Sequence, residues 1–186
     1  HEALMEAQGF ASRPGPKPKI DQVVSEKIYE AIKACRFIKV LYASHSEKSP
    51  RLRRLAPYGI LTGIRRYLVA RTDVLPEGPE RLFRIDRFHS VELTDDVFGR
   101  DPEFSLKRFS NRAFGVYQRD DEFSEVVWKF APDVAEEALA FEFHPDQKVR
   151  TDSDGSVIIS FCASGFLEMC WHLYCWGDKV EVLEPQ

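Results

Sequence analysis

The chain has 186 residues, enough for one large domain or two small ones, and for a core that needs neither disulfides nor a metal. Its 44% hydrophobic and 30% charged residues are those of an ordinary globular protein, and no apolar run approaches the about 20 residues of a membrane span. The formal charge of −4 is unevenly spread, and its distribution says more than its total.

The first 19 residues end in RPGPKPK, whose prolines at 14, 16 and 18 predict an extended linker. HEALMEAQGF lacks the basic start and apolar centre of a secretory signal. Four scattered cysteines (35, 162, 170, 175) form no Cys-x-x-Cys pair, so the expectation is a cytoplasmic protein with reduced, mostly buried thiols. From Ile20 the apolar positions 20, 23, 24, 28, 31, 32 and 35 keep a helical period. With Asp21 and Ser25 available as caps, a helix with one apolar face should run to about Arg36.

Residues 37–44 (FIKVLYAS) read as a strand closed by the polar break SHSEKSP, and residues 52–61 as a second. Thr62-Gly63 marks a turn into a third strand over 66–72, and 82–86 and 88–93 supply a fourth and fifth. Five short strands behind one helix outline a small, strongly bent barrel. Side chains alternate along a strand, so Tyr67, Val69 and Arg71 share one face and Arg66, Leu68 and Ala70 the other; parity alone leaves open which is inside. Arg84 points away from the core candidates Phe83 and Ile85, and so out of the barrel.

The stretch 51–87 carries nine arginines (51, 53, 54, 65, 66, 71, 81, 84, 87) against Asp73, Glu77, Glu80 and Asp86, a formal +5. Interleaved with strand-forming side chains, they predict an anion-binding face, because the planar guanidinium grips phosphate bidentately. The plainer alternative is that exposed arginines guard strand edges against pairing with another chain.

Residues 99–119 predict a connector helix ending near Gly115, positive as well through Arg100, Lys107, Arg108, Arg112 and Arg119. From residue 120 the charge inverts: fifteen acids meet only Lys129, Lys148, Arg150 and Lys179, a formal −11, which is no place for nucleic acid. A strand over 125–130 is followed by a helix opened by Pro132, with Asp133, Glu136 and Glu137 at its positive end. A strand over 141–150, interrupted at Pro145, and one over 157–162 flank a turn at 152–155; a helix over 165–176 stops at Gly177, and 180–183 closes as a strand. This βαββαβ order is a ferredoxin-like outline. The expected fold is α+β: a linker over 1–19, a small barrel over 20–98, a connector over 99–119 and a ferredoxin-like domain over 120–186.

In this order the residues resemble the bacterial WYL-domain transcriptional regulators. The naming triplet Trp-Tyr-Leu stands here as Arg66-Tyr67-Leu68, flanked by Tyr42-Ala43-Ser44, Pro57-Tyr58-Gly59-Ile60 and Phe83-Arg84-Ile85-Asp86-Arg87-Phe88. Ser110-Asn111-Arg112-Ala113-Phe114-Gly115-Val116 resembles the family's connector. The tail, with Pro132-Asp133-Val134-Ala135 and Trp176-Gly177-Asp178, resembles its C-terminal WCX extension. The resemblance implies an Sm-like WYL barrel, a ferredoxin-like extension and a homodimer. It implies an effector that in some members is single-stranded nucleic acid or a nucleotide-like ligand. It also implies promoter DNA read by an N-terminal winged helix-turn-helix, which residues 1–19 do not contain. Arg66 in place of the motif tryptophan removes a stacking ring and adds a cation.

Arg84 and Arg87 match the arginines of the family's strand motif and are the first candidates for phosphate, with an ion pair to Asp86 or Glu92 as the alternative. Tyr67, the motif tyrosine, suits either base stacking or core filling, and Arg71 shares its face. Arg53 and Arg66 are weaker candidates; Ser44 and Tyr42 offer hydroxyls, and His45 in the first loop a donor. A single strand would be held by a cationic groove with rings stacking its bases. A small anionic nucleotide or metabolite on the same scaffold, and a purely structural dimerisation module, are the competing interpretations. No Ser-His-Asp arrangement, phosphate loop or Gly-x-Gly-x-x-Gly suggests an enzyme, and no cofactor is expected. Cys170, His172 and Cys175 have the wrong spacing for the common zinc modules.

Overall fold

A computed structural model describes residues 7–9, 15, 18–44, 49–73 and 78–185. His45 and most of the expected linker lie outside the described residues. The chain divides into two compact units, residues 1–98 and 99–186, each with its own sheet and core. No described helix is long and apolar enough to cross a membrane.

In the first unit, helix α1 (Gln22–Ala34) starts where the Asp21 side chain accepts the Val23 N–H at 2.7 Å and ends where Cys35 turns left-handed, φ 51°. Val24, Ile28 and Ala31, at i, i+4 and i+7, form its buried face. Strands β1 (Arg36–Tyr42), β2 (Arg51–Thr62), β3 (Arg66–Thr72), β4 (Arg81–Arg84) and β5 (Phe88–Val97) make an antiparallel sheet in the order β4-β3-β2-β1-β5. A 3-10 turn, Ile85–Arg87, carries the chain from β4 into β5. Among the described residues no ladder joins β4 to β5, so by its hydrogen bonds the sheet is open. Pro57 lacks the donor a central strand needs. It is tolerated at a register shift past Leu55, where the β1 ladder has ended and β2 bonds only to β3. Leu68, Ala70 and Phe83 join Ile38, Val40 and Leu55 in the core under α1, which settles the parity question: Tyr67 and Arg71 lie on the other face of the sheet, half-buried on either side of the fully buried Val69.

The second unit departs from expectation at three places. Its first helix, α2 (Leu106–Ser110), is far shorter than the 99–119 connector helix, and the Ser105 hydroxyl caps it by accepting the Arg108 N–H at 3.2 Å. The chain then docks beside Ser164, whose N–H reaches the Arg112 carbonyl at 2.9 Å while its carbonyl accepts the Phe114 N–H at 3.0 Å. Gly115 leaves room here for the Glu168 carboxylate, which a Cβ would approach to 2.5 Å and force to shift. That carboxylate accepts the Val116 and Tyr117 N–H groups at 2.9 and 2.8 Å. The strand expected over 141–150 is confined to β7 (Lys148–Thr151). Upstream of it, Gln147 Oε1 takes the Phe143 and His144 N–H groups at 2.7 and 3.3 Å, so a side chain occupies bonds that a ladder would use. The third departure concerns the thiols: Cys162, Cys170 and Cys175 are exposed rather than buried.

Strand β6 (Ser124–Phe130), β7, β8 (Val157–Ala163) and β9 (Val180–Glu184) form an antiparallel sheet in the order β7-β8-β6-β9. Helix α3 (Ala135–Leu139) lies between β6 and β7 in sequence. Helix α4 (Phe166–Leu173), with a 3-10 extension over Tyr174–Lys179, lies between β8 and β9. Alternate residues of β6 and β8 point into an aromatic core centred on Trp128, which is 1% exposed and within 5.1–5.6 Å, ring to ring, of Phe114, Phe143 and Phe161. Burial pushes the His172 imidazole below its ordinary pKa, and its Nε2 accepts the Trp176 indole N–H at 3.3 Å. In the turn before β8, the Ser156 hydroxyl and N–H donate to Asp154 and hold that carboxyl at about 2.

Candidate anion-binding site

Tyr67 and Arg84 stand directly opposite each other on the β3–β4 ladder, with Leu61 across from Tyr67 on β2. Directly opposed residues project from the same face, so the pairing brings the ring and the guanidinium to cross-strand spacing on the outer side of the sheet. Arg84 is already engaged. Its Nε and a terminal nitrogen donate to the two oxygens of Asp86 at 3.0 and 2.6 Å. Asp86 also takes Arg65, from the turn between β2 and β3, at 3.2 Å. One carboxylate, its side chain 15% exposed, therefore orders two guanidinium groups and leaves a single surplus positive charge.

The other candidates are dispersed. Arg71 shares the outer face but lies four residues from Tyr67, about 13 Å at the strand rise. Its guanidinium donates to Glu80 at 2.6 and 2.8 Å and lies 5.0 Å from the Tyr58 ring centre. Arg66 pairs with Thr62 and has the opposite parity; its side chain has no hydrogen-bond or ion-pair partner among the described residues. Arg53 is opposite Val40, on the core-facing side, with its guanidinium 5.6 Å from the Tyr42 ring centre. Tyr42 itself is core filling, 7% exposed and edge-on to Phe83 and Phe88. Ser44 is half-buried just past β1, and Arg87 half-buried in the 3-10 turn, where its carbonyl accepts the Ala43 N–H at 3.4 Å. The structure thus unites Tyr67 with Arg84, and it adds Arg65, which sequence reasoning passed over. Its signal was the Arg65-Arg66 doublet, one residue past Thr62-Gly63.

The cluster falls within a recognised domain. Residues 23–93 match the WYL domain and residues 123–186 the WCX domain. The chain therefore carries a WYL domain followed by a WCX domain. Arg65, Tyr67, Arg84 and Asp86 all lie in the WYL domain, and strands β6 to β9 in the WCX domain. No curated protein matches the chain. Among solved structures, it resembles proteasome accessory factor B/C (PafBC) of Arthrobacter aurescens at 17% identity and a TM-score of 0.37, over 98% of this chain and 27% of that one. It also resembles a CRISPR Cas-related protein at 16% identity and a TM-score of 0.56, over 88% of this chain and 46% of that one, a likeness of fold. This WYL-domain chain thus spans about a quarter of the first relative and under half of the second.

Proposed function

We propose that this WYL–WCX chain is the effector-sensing part of a bacterial transcription regulator, and that Arg65, Tyr67 and Arg84 receive a phosphate of single-stranded nucleic acid, DNA first. The observation that carries this is the convergence of Arg65 and Arg84 on Asp86 with Tyr67 directly across from Arg84. Two guanidinium forks are held ready for an anion, and the neighbouring ring offers a face for a base. Asp86 competes for the same donors, so binding exchanges a carboxylate for a phosphate and yields less than an open arginine pair would. The role is binding rather than catalysis, in the cytoplasm, with promoter DNA read elsewhere in such a regulator. In this view the WYL sheet is an Sm-like barrel, supported by the 3-10 corner between β4 and β5. The WCX unit is ferredoxin-like, supported by the interleaved order β7-β8-β6-β9.

A second copy of the chain belongs to the proposal. Leu167, Cys170, Trp171 and Tyr174 fall at i, i+3, i+4 and i+7 along α4 and its extension, and all are exposed, Tyr174 by 90%. Such an apolar stripe suits self-association, and Trp171→Glu should shift a sedimenting dimer to monomer.

A small anionic nucleotide is the second possibility, favoured by the single surplus charge, which suits one phosphate better than a row of them. Fluorescence anisotropy with labelled single strands of several lengths separates the two. Affinity that rises with length supports the strand; full competition by a mononucleotide supports the small ligand. Absence of binding by both at low salt rejects the site. Replacing Arg65 and Arg84 together by alanine should weaken binding about tenfold or more, the worth of charge-assisted hydrogen bonds.

A further inference from the structure

We infer a second anion site, within residues 99–186, for a phosphate-bearing small molecule that carries a flat ring, a mononucleotide being the simplest case. It does not depend on the WYL site. A wide-mouthed surface hollow of about 410 Å³ is lined in part by Lys107, Arg108, Arg112, Phe123, Asp146 and Cys162. Three cations there meet one carboxylate, in a unit whose sequence is otherwise strongly acidic. The Lys107 ammonium has no hydrogen-bond or ion-pair partner among the described residues. Arg108 gives one N–H to the Glu103 carbonyl, and its remaining guanidinium donors have none among the described residues. Arg112 reaches Asp120 at 2.8 Å, but that carboxylate is 93% exposed, so water screens the pair and a phosphate can displace it.

The backbone that carries these cations is pinned. The Arg112 carbonyl accepts both the N–H and the hydroxyl of Ser164 at 2.9 Å, and Ser105 caps α2 just ahead of Lys107. The Arg112 guanidinium also lies 5.4 Å from the Phe123 ring centre. Together they present a flat, cationic surface on which a base can stack while Lys107 and Arg108 meet the phosphate.

Cys162 makes the site testable from inside. Cys162, Cys170 and Cys175 are all exposed, but of the three only Cys162 lines the hollow. The experiment follows iodoacetamide labelling of each thiol by mass spectrometry on the chain incubated with AMP, inorganic phosphate or a short oligodeoxynucleotide. AMP should slow Cys162 alone, by about tenfold at roughly ten times its Kd. The protection should vanish in the doubly reversed Lys107→Glu, Arg108→Glu chain and persist in Arg84→Ala, which separates this site from the WYL site. Phe123→Ala, which removes only the ring, should weaken protection by AMP more than protection by phosphate. Protection by the oligonucleotide but not by AMP assigns the same chemistry to a strand end. Equal protection by inorganic phosphate overturns the nucleotide assignment. Unchanged Cys162 labelling at millimolar AMP, equal slowing of all three thiols, or protection surviving in the reversed chain overturns the site.

Discussion

The unit 1–98 holds the arginine-rich stretch, yet it pairs much of that charge internally: Arg65 and Arg84 with Asp86, Arg71 with Glu80, Arg54 with Asp96. The unit 99–186 is acidic over most of its length, yet it gathers Lys107, Arg108 and Arg112 around a hollow with a single carboxylate. Charge summed along a segment and charge met by a ligand are therefore different quantities. The first follows from composition; the second depends on which carboxylates the turns bring within reach. Asp86 and Glu80 are 15% and 13% exposed and hold their partners firmly, whereas Asp120 is almost fully exposed and holds Arg112 weakly.

The largest expected effect probes whether the two cores are independent. Trp128→Ala leaves a cavity among Phe114, Phe143 and Phe161, and should cost the second unit about 3–5 kcal/mol. Hydrogen exchange in denaturant should then show amides of the second sheet opening early and those of β1 and β2 unchanged; joint loss would mean one cooperative core. Gly115→Ala is next. Its methyl group must displace the Glu168 carboxylate from the Val116 and Tyr117 N–H groups, a loss of about 1–3 kcal/mol in the same unit, read from urea midpoints. The ion pairs come third. Asp86→Asn should cost the first unit about 1 kcal/mol, while Asp120→Asn should cost the second unit nothing measurable.

The smallest effect is a pH dependence. Burial keeps the folded His172 imidazole neutral to a lower pH than the ordinary 6.5, so the unfolded chain takes up the proton first. Its contribution is complete above the unfolded value and is lost as pH falls through 6.5 towards the folded value. The urea midpoint of the second unit should fall between about pH 7 and about pH 5.5, and fall less in His172→Gln. Equal pH dependence in both chains would remove His172 as its source.

Much of the secondary structure is legible in the residues themselves. Asp21 and the 24, 28, 31 spacing mark α1, and alternation around Thr62-Gly63 marks β2 and β3. The failures have particular causes. Phe141 and Phe143 alternate like a strand, but Gln147, four residues beyond Phe143, captures the backbone donors there. The connector reads as helical from its apolar spacing, but Ser164, fifty residues downstream of Phe114, supplies the bonds that keep it extended. Parity places Arg84 away from the core but leaves the side of Tyr67 open, and it does not give the β3–β4 register that sets the two opposite each other. Nor does it give the neutralising partners: Glu80 reaches Arg71 from nine residues away, and Arg65 reaches Asp86 across two strands.

The most direct test of the Arg65–Asp86–Arg84 cluster is an anisotropy titration of one labelled single strand against the native chain and Asp86→Asn over a salt series. If the carboxylate holds the donors for a phosphate, the variant should bind about tenfold tighter, with a log–log salt slope steeper by about 0.7 for each further phosphate that it neutralises. Unchanged or weaker binding in the variant, with the same slope, would mean that the two arginines serve only to pair with Asp86, and that the effector docks elsewhere.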